Sequence, residues 1–406
     1  MTTDATTNGD AGHARYTYRL RVSAGARAAL EAEWDRCRWI WNECVAKSKA
    51  VYLDNKVRCE DKLTCGPAQL DKVLTEARRV TPWLAQGASV PQQQVIRDFA
   101  TSRAKALGDI KARLPMRQRA GMPHWKKKRE ADPSLNYTRR GFRLKDGRLH
   151  LAGGIVLTVV WSRRLPKPPS SVRVYRDCIG HWYASFVTTA TTEHLPETGR
   201  MIGIDCGVKE TATTTSEDHD LPHAQHGKKA QAKLSRYDRM MARRRPAKGQ
   251  ASSKAYREAK KLRAKAYAKV AGQRQDTGRK WAKSVVCDHD RIAVEDFRRK
   301  FLAKTTMAKK AADAALSATK RALIEMGRKH GRDVRLVHPA HTTMECADCG
   351  ARTKHALRER TYTCTRCGAV RPRDKNSAFV MLVRVGWCPA GAEGLRPSGP
   401  LARKAA

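Results

Sequence analysis

Four of the twelve cysteines stand in two matching pairs, Cys346-Ala-Asp-Cys349 and Cys364-Thr-Arg-Cys367, and a glycine follows the second cysteine of each, Gly350 and Gly368. That spacing lets each short turn present two thiolates to one tetrahedral ion, and the glycines let the backbone curl toward the metal. Free thiols or a redox couple account for one such pair but seldom for two. His338, His341 and His355 are close enough in sequence to offer a three-cysteine, one-histidine set as the alternative. Four thiolates leave no open position for a reacting water, so the expected ion is one structural Zn2+ on Cys346, Cys349, Cys364 and Cys367.

Carboxylates are the second chemical signal, because the chain has few of them: 39 Asp and Glu against 82 Lys and Arg, a formal charge of +43. Asp205 ends the apolar run Met201-Ile-Gly-Ile204, and Glu295 ends Arg291-Ile-Ala-Val294. Asp374 precedes a helical pattern whose apolar face is Ala378, Phe379, Met381, Leu382 and Val385. Three carboxylates delivered by two strand ends and one helix start could hold divalent ions, which take hard oxygen ligands and keep positions for water and phosphate. Each has a plainer account as well: Asp205 as a turn residue, Glu295-Asp296 as the start of a loop, Asp374 or Asn376 as a helix cap.

The elements that must position these residues can be read from period. Tyr16 to Val22 alternates as a half-buried strand. From Gly25 to about Leu114 the period turns helical, with Leu30, Trp34, Cys37, Ile40 and Trp41 at three- and four-residue spacing. Strands return from Phe142: the run Ile155 to Trp161, whose tryptophan is expected in the core, then a hairpin of Val172 to Tyr175 and Trp182 to Val187. A lone first strand needs a partner for its backbone groups, so the helices read as an insertion into one small barrel. Beyond Arg200, strands at 201–205, 211–215, 291–295 and 334–337 alternate with helices, one of them spanning about Met307 to Lys329, and suggest an α/β layer fold. Between Lys228 and Lys283 stand 20 Lys/Arg and 3 Asp/Glu in two helical stretches.

Gly203-Ile-Asp205-Cys-Gly207-Val-Lys209 with Ala212-Thr213, then Ile292-Ala-Val-Glu295-Asp296-Phe297, then the two cysteine knuckles, then Arg373-Asp374-Lys-Asn376-Ser-Ala378 resemble, in that order, the motifs of transposon-encoded TnpB proteins and their descendants, the compact Cas12-type effectors of type V CRISPR systems. The likeness continues through the basic helices and, more weakly, through Val172 to Val187, Pro91-Gln-Gln-Gln94 and Trp125-Lys-Lys-Lys-Arg129. It covers roughly Arg15 to Gly386. Two features depart from the pattern: Cys206 stands where Leu or Pro is common, and Arg373 and Ser377 replace small residues around Asp374.

The resemblance implies an α/β multi-domain chain. Its parts would be a β-barrel (WED-like) domain over 15–24 and 115–198, a helical REC-like insertion over 25–114, and an RNase H-like RuvC nuclease domain over 199–340 and 372–386. A zinc ribbon at 341–371 would interrupt the last, between a lead of 1–14 and a tail of 387–406. It also implies an RNA-guided DNA endonuclease that cleaves by two-metal phosphodiester hydrolysis. Asp205, Glu295 and Asp374 would then be the catalytic carboxylates on two Mg2+ ions, and guide RNA and double-stranded target DNA the partners.

Charge agrees with a polyanion partner. A stretch of 20 positive and 3 negative residues repels itself unless a polyanion neutralises it. The expected backbone contacts are Lys126, Lys127, Lys128 and Arg129, and Arg243, Arg244 and Arg245, with a solvated surface face as the alternative for each. His223 and His226 read as a surface loop. No run of eighteen apolar residues and no secretory leader occur, so a membrane partner is not expected and a cytoplasmic, prokaryotic setting is. Two other readings stay open: a nucleic-acid binder with weak or no cleavage, and a transposition or transcription factor acting through the zinc ribbon alone.

Overall fold

The computed structural model describes residues 12–128, 131–247, 249–297, 305–356 and 358–387. The chain divides into two compact units, residues 11–190 and residues 191–406 with the first ten.

In the first unit β1 (His13–Arg21) is followed by helices α1 (Ala24–Val57), α2 (Pro67–Val80), α3 (Pro82–Ala85) and α4 (Ser89–Lys111). Six strands follow: β2 (Ser134–Thr138), β3 (Phe142–Lys145), β4 (Arg148–Leu151), β5 (Ile155–Val160), β6 (Ser171–Arg176) and β7 (Trp182–Thr189). All pair antiparallel in one sheet of order β2-β6-β7-β1-β5-β4-β3. β1 thus lies in the middle of the sheet, between strands from the far side of the helical segment, which gives its backbone groups their partners. Alternation turns Tyr18, Leu20, Leu157, Val174 and Phe186 inward, where they share a core with Leu30, Trp34 and Ile40 of α1 and with Ile96 and Phe99 of α4. Ser23 caps α1 by accepting the Ala26 N–H at 3.2 Å.

Three expectations change in this unit. The five-residue β2 lies ahead of Phe142, in a short alternating stretch that buries Leu135 and Tyr137. No ladder joins the sheet's end strands β2 and β3 among the described residues, so the strands form an open seven-stranded sheet rather than a hydrogen-bonded closed barrel. Trp161 is 39% exposed rather than buried: its ring stacks on Phe186 and its Nε1–H donates to Gly147 O at 2.8 Å, so it closes the rim of the core.

The second unit contains β8 (Met201–Asp205), β9 (Glu210–Thr214), β10 (Leu221–Pro222), α5 (His226–Lys229), α6 (Gln231–Arg243), α7 (Lys254–Asp288), β11 (Arg291–Glu295), α8 (Ala308–Ala314), α9 (Leu316–His330) and β12 (Asp333–Val337). The short pair β13 (Thr361–Thr363) and β14 (Val370–Pro372) and helix α10 (Arg373–Arg384) complete it. Its sheet has the order β10-β9-β8-β11-β12, with β8, β11 and β12 parallel and β9 antiparallel to β8. One face, Ile202, Ile204, Ile292 and Val294, packs on Trp281, Val285 and Val286 of α7 and Leu323 of α9. On the other, Ala293 packs on Met381 and Leu382 of α10. The single helix expected from Met307 to Lys329 is two: Ala315, at φ 54° in the left-handed region, ends α8 and starts α9.

Candidate metal centres and nucleic-acid surface

Side chains two apart on a strand share a face, so Gly203 and Asp205 of β8 both point toward α10. The parallel register sets Ala293 beside Gly203 and Val294 beside Ile204, which brings Glu295 next to Asp205 at the carboxyl ends of the two strands. A β-carbon on Gly203 would collide with the carbonyl oxygen of Ala378 and stand 3.0 Å from Leu382 Cγ. Only glycine lets α10 lie this close to β8. Asp374 is one turn ahead of Ala378, so that contact carries it to the same strand ends. Asp205 and Asp374 line a cavity of about 320 Å³ together with Lys209, Lys310, Arg360 and Arg373.

Glu295 is buried, at 8% exposure, and accepts the Cys206 N–H at 3.3 Å. Burial, then the neighbouring Glu295 and Asp374, push the Asp205 carboxyl well above its usual range. Burial also raises Glu295, against the Cys206 N–H and the Lys320 ammonium. Lys320 Nζ binds Asp296 Oδ1 at 2.8 Å and Phe297 O at 3.2 Å. Burial likewise pushes the Cys206 thiol far up, which leaves it no nucleophile.

This donor set fits divalent cations. The oxygens are hard ligands, and the negative charge crowded at Asp205 is what a cation would relieve. The three carboxylates stand wider than the cysteines, which among the described residues are the one set of three or more potential ligands with all donor atoms within 4.8 Å of one another.

In that set the Cys346 and Cys367 sulfurs are 3.7 Å apart and those of Cys349 and Cys364 are 3.5 Å apart. Zinc–sulfur bonds of about 2.3 Å in a tetrahedron require about 3.8 Å, so the cluster fits zinc. Both knuckles have one geometry: Gly350 N donates to Cys346 O and Gly368 N to Cys364 O, each at 3.0 Å, with φ of 71° and 73° at the two glycines. Backbone N–H groups of Cys367 and Arg366 draw the Cys364 thiol down to about 6, which favours the ligating thiolate. None of the three nearby histidines joins the set.

The basic candidates separate. Lys126 is turned inward, with Nζ 3.6 Å from the Trp41 ring centre, and burial lowers its pKa. It is half-buried, whereas its neighbours Lys127 and Lys128 are exposed. Lys128 is paired with Asp35 at 2.9 Å, and Arg129 lies outside the described residues. Arg243, Arg244 and Arg245 are exposed at the carboxyl end of α6, where the helix dipole favours cations.

The two histidines do not form a surface loop. His226 hydrogen-bonds Thr277 at 2.9 Å, and His223 Nε2 lies 3.9 Å from Asp313, which also accepts from Gly227 N, Lys228 N and Arg274. Lys310 and Arg360 belong to no sequence motif, and their places at the cavity follow only from the fold. Asn376, for which a helix cap is the plainer account, instead grips the ribbon with a side chain that is 1% exposed.

Residues 185–305 match the family model OrfB_IS605, described as a probable transposase, and residues 317–381 match the Cas12f1-like TNB domain. A protein of Streptomyces pristinaespiralis, named as a candidate RNA-guided DNA endonuclease, is 29% identical over 391 residues, covering 94% of this chain and 92% of its own. A second, from Escherichia coli K12, named as the candidate RNA-guided DNA endonuclease InsQ, is 24% identical over 370 residues, with 86% of each chain covered. Among solved structures, Cas12f1 from a complex with sgRNA and target DNA superposes with a TM-score of 0.52 at 10% identity, over 91% of this chain and 98% of that one, and shares its mixed α/β fold. Among the described residues no helix is long and apolar enough to cross a membrane. With the motifs in order, two family models matched in succession and relatives aligned along most of the chain, the protein is similar to the TnpB- and Cas12-like nucleases.

Proposed function

We propose that this chain is an RNA-guided DNA endonuclease whose nuclease centre is Asp205, Glu295 and Asp374. One observation carries the reading: Asp205 from a strand end and Asp374 from a helix start line one cavity with Lys209, Lys310, Arg360 and Arg373, and Glu295 stands beside Asp205 at the end of the adjacent parallel strand. The names of the relatives and the complex in which Cas12f1 was solved point the same way.

Asp205, Glu295 and Asp374 would hold Mg2+, which when bound supplies an activated water and charge stabilisation at the leaving oxygen. The chain's own residues do the rest. Asp205 and Glu295 would face the cation side by side, and the flanking lysines and arginines draw a phosphodiester into a cavity too acidic to attract one alone. The β8–β12 sheet with α10 would be the RuvC-like, RNase H-type domain that the zinc ribbon interrupts. The seven-stranded sheet would be the WED-like part and α1 to α4 the REC-like part.

In the first unit a cleft of about 410 Å³ is lined by Gln93, Gln94, Arg97, Thr138, Arg139 and Arg140. Amides and guanidinium forks of this kind pair with base edges, which suits reading of a short motif flanking the target. Guide pairing would read the rest.

A second reading, a guided binder with weak or no cleavage, is favoured by Arg373, whose Nε lies 3.7 Å from Asp374 Oδ1. The deciding experiment sequences the RNA that copurifies with the protein and then offers matching DNA with Mg2+. Repeat-derived RNA identifies a CRISPR effector, and transposon-end RNA identifies a TnpB. Cleavage supports the endonuclease, and tight binding without product supports the second reading.

A further inference from the structure

Asn376 sits two residues after Asp374 in the first turn of α10 and is 1% exposed. Its Oδ1 accepts the Ala347 N–H at 3.2 Å, and its Nδ2 donates to Glu345 O at 2.7 Å. Those two residues flank Cys346, a zinc ligand, so one amide clasps the backbone on both sides of it. An amide is the one short side chain that offers a donor and an acceptor side by side, as this clasp requires.

The same turn is held to the ribbon at two more points. Arg373 N donates to Arg360 O at 2.7 Å, and Ser377 Oγ lies 3.5 Å from Thr342 O. Further along α10, Arg384 Nη2 meets Glu345 Oε2 at 2.6 Å. On its other face the helix is fixed by its contact with Gly203. The direction and depth of Asp374 are thus set between the sheet and the metal-bearing ribbon.

We infer that Asn376 is a positioning residue that couples the zinc ribbon to the carboxylate centre, so that cation binding at Asp205, Glu295 and Asp374 depends on the clasp around Cys346. The inference rests on the reading of those carboxylates as a cation site. Outer contacts that orient metal ligands are worth about 10- to 100-fold in metal affinity or activity, and Asn376 acts on Asp374 in this way through the helix rather than by touching substrate.

The test measures Mn2+ binding by electron paramagnetic resonance and zinc content by mass spectrometry in full-length protein carrying Asn376→Ala, Asp374→Ala, both, or Asp205→Ala. Arg384→Ala serves as a second, gentler release of the ribbon. The expected result is one zinc retained per chain in every variant and Mn2+ affinity about tenfold weaker in Asn376→Ala. Arg384→Ala falls between wild type and Asn376→Ala, and Asn376→Ala adds nothing once Asp374 is gone. Unchanged Mn2+ affinity in Asn376→Ala, or losses that add independently of Asp374, overturns the inference. Loss of zinc from Asn376→Ala does so too, because it makes the residue merely part of the ribbon. If Asp205→Ala also leaves Mn2+ binding intact, it is the carboxylate site itself that fails.

Discussion

Gly203 and Ala378 touch backbone to backbone: the strand that ends in Asp205 has no side chain at the point where the helix that begins with Asp374 crosses it. Two residues along the strand and one turn back along the helix, the same contact fixes the separation of the two carboxylates. Gly203→Ala is therefore expected to push α10 outward. The overpacking costs about 1–3 kcal/mol of stability, and cleavage falls more than stability does because Asp374 moves with the helix. Thermal melting beside a cleavage assay checks this; a variant that melts earlier yet cleaves at the wild-type rate would show that the spacing does not matter.

A second prediction concerns Asp313, which joins α8 to α5 and to Arg274 of α7. Burial alone would raise its carboxyl, but Arg274 and the N–H groups of Gly227 and Lys228 outweigh burial and hold it below the usual 3.8. A lowered carboxylate contributes stability that is present above the ordinary value and lost as pH falls through the folded one. Asp313→Asn should thus cost about 2 kcal/mol at neutral pH, with the gap narrowing as pH falls below the usual 3.8. Urea titrations at pH 7 and pH 3 measure it, and an equal deficit at both would refute the assignment.

Charge at the end of α6 gives a third. Replacing Arg243, Arg244 and Arg245 by alanine should weaken nucleic-acid binding at low salt. The slope of log K against log salt should flatten by about two to three, roughly one for each phosphate that an arginine neutralises. Binding isotherms at several salt concentrations read the slope directly. An unchanged slope makes these arginines a solvated face.

Much of this architecture was legible in the sequence because its signals are local. Alternation marks β1, an apolar run marks β5, a hairpin pattern marks β6 and β7, glycine after each knuckle marks the zinc turns, and an acid ending a short apolar run marks Asp205 and Glu295. Pairings between distant segments were not legible. The edge strand Ser134-Leu-Asn-Tyr-Thr138 does alternate, with Leu135 and Tyr137 inward, but over five residues only, so its signal is weak. Lys126 reads as one of a basic run until the Trp41 face beneath it is known. Ala315 carries no sequence mark of the left-handed conformation that divides α8 from α9. Asn376 was visible within its motif, but its partners at Glu345 and Ala347 lie about thirty residues away, across the ribbon.

The central claim is that Asp205 and Glu295, side by side at the ends of β8 and β11, are the cutting centre of an RNA-guided enzyme. Its most direct test is Mg2+-dependent cleavage of guide-matched DNA by RNA-loaded protein, wild type against Asp205→Ala and Glu295→Ala, with RNA and DNA binding measured in parallel. The account predicts that each variant binds both nucleic acids as before and loses at least about a hundredfold in cleavage rate. Undiminished cleavage in both variants would contradict it.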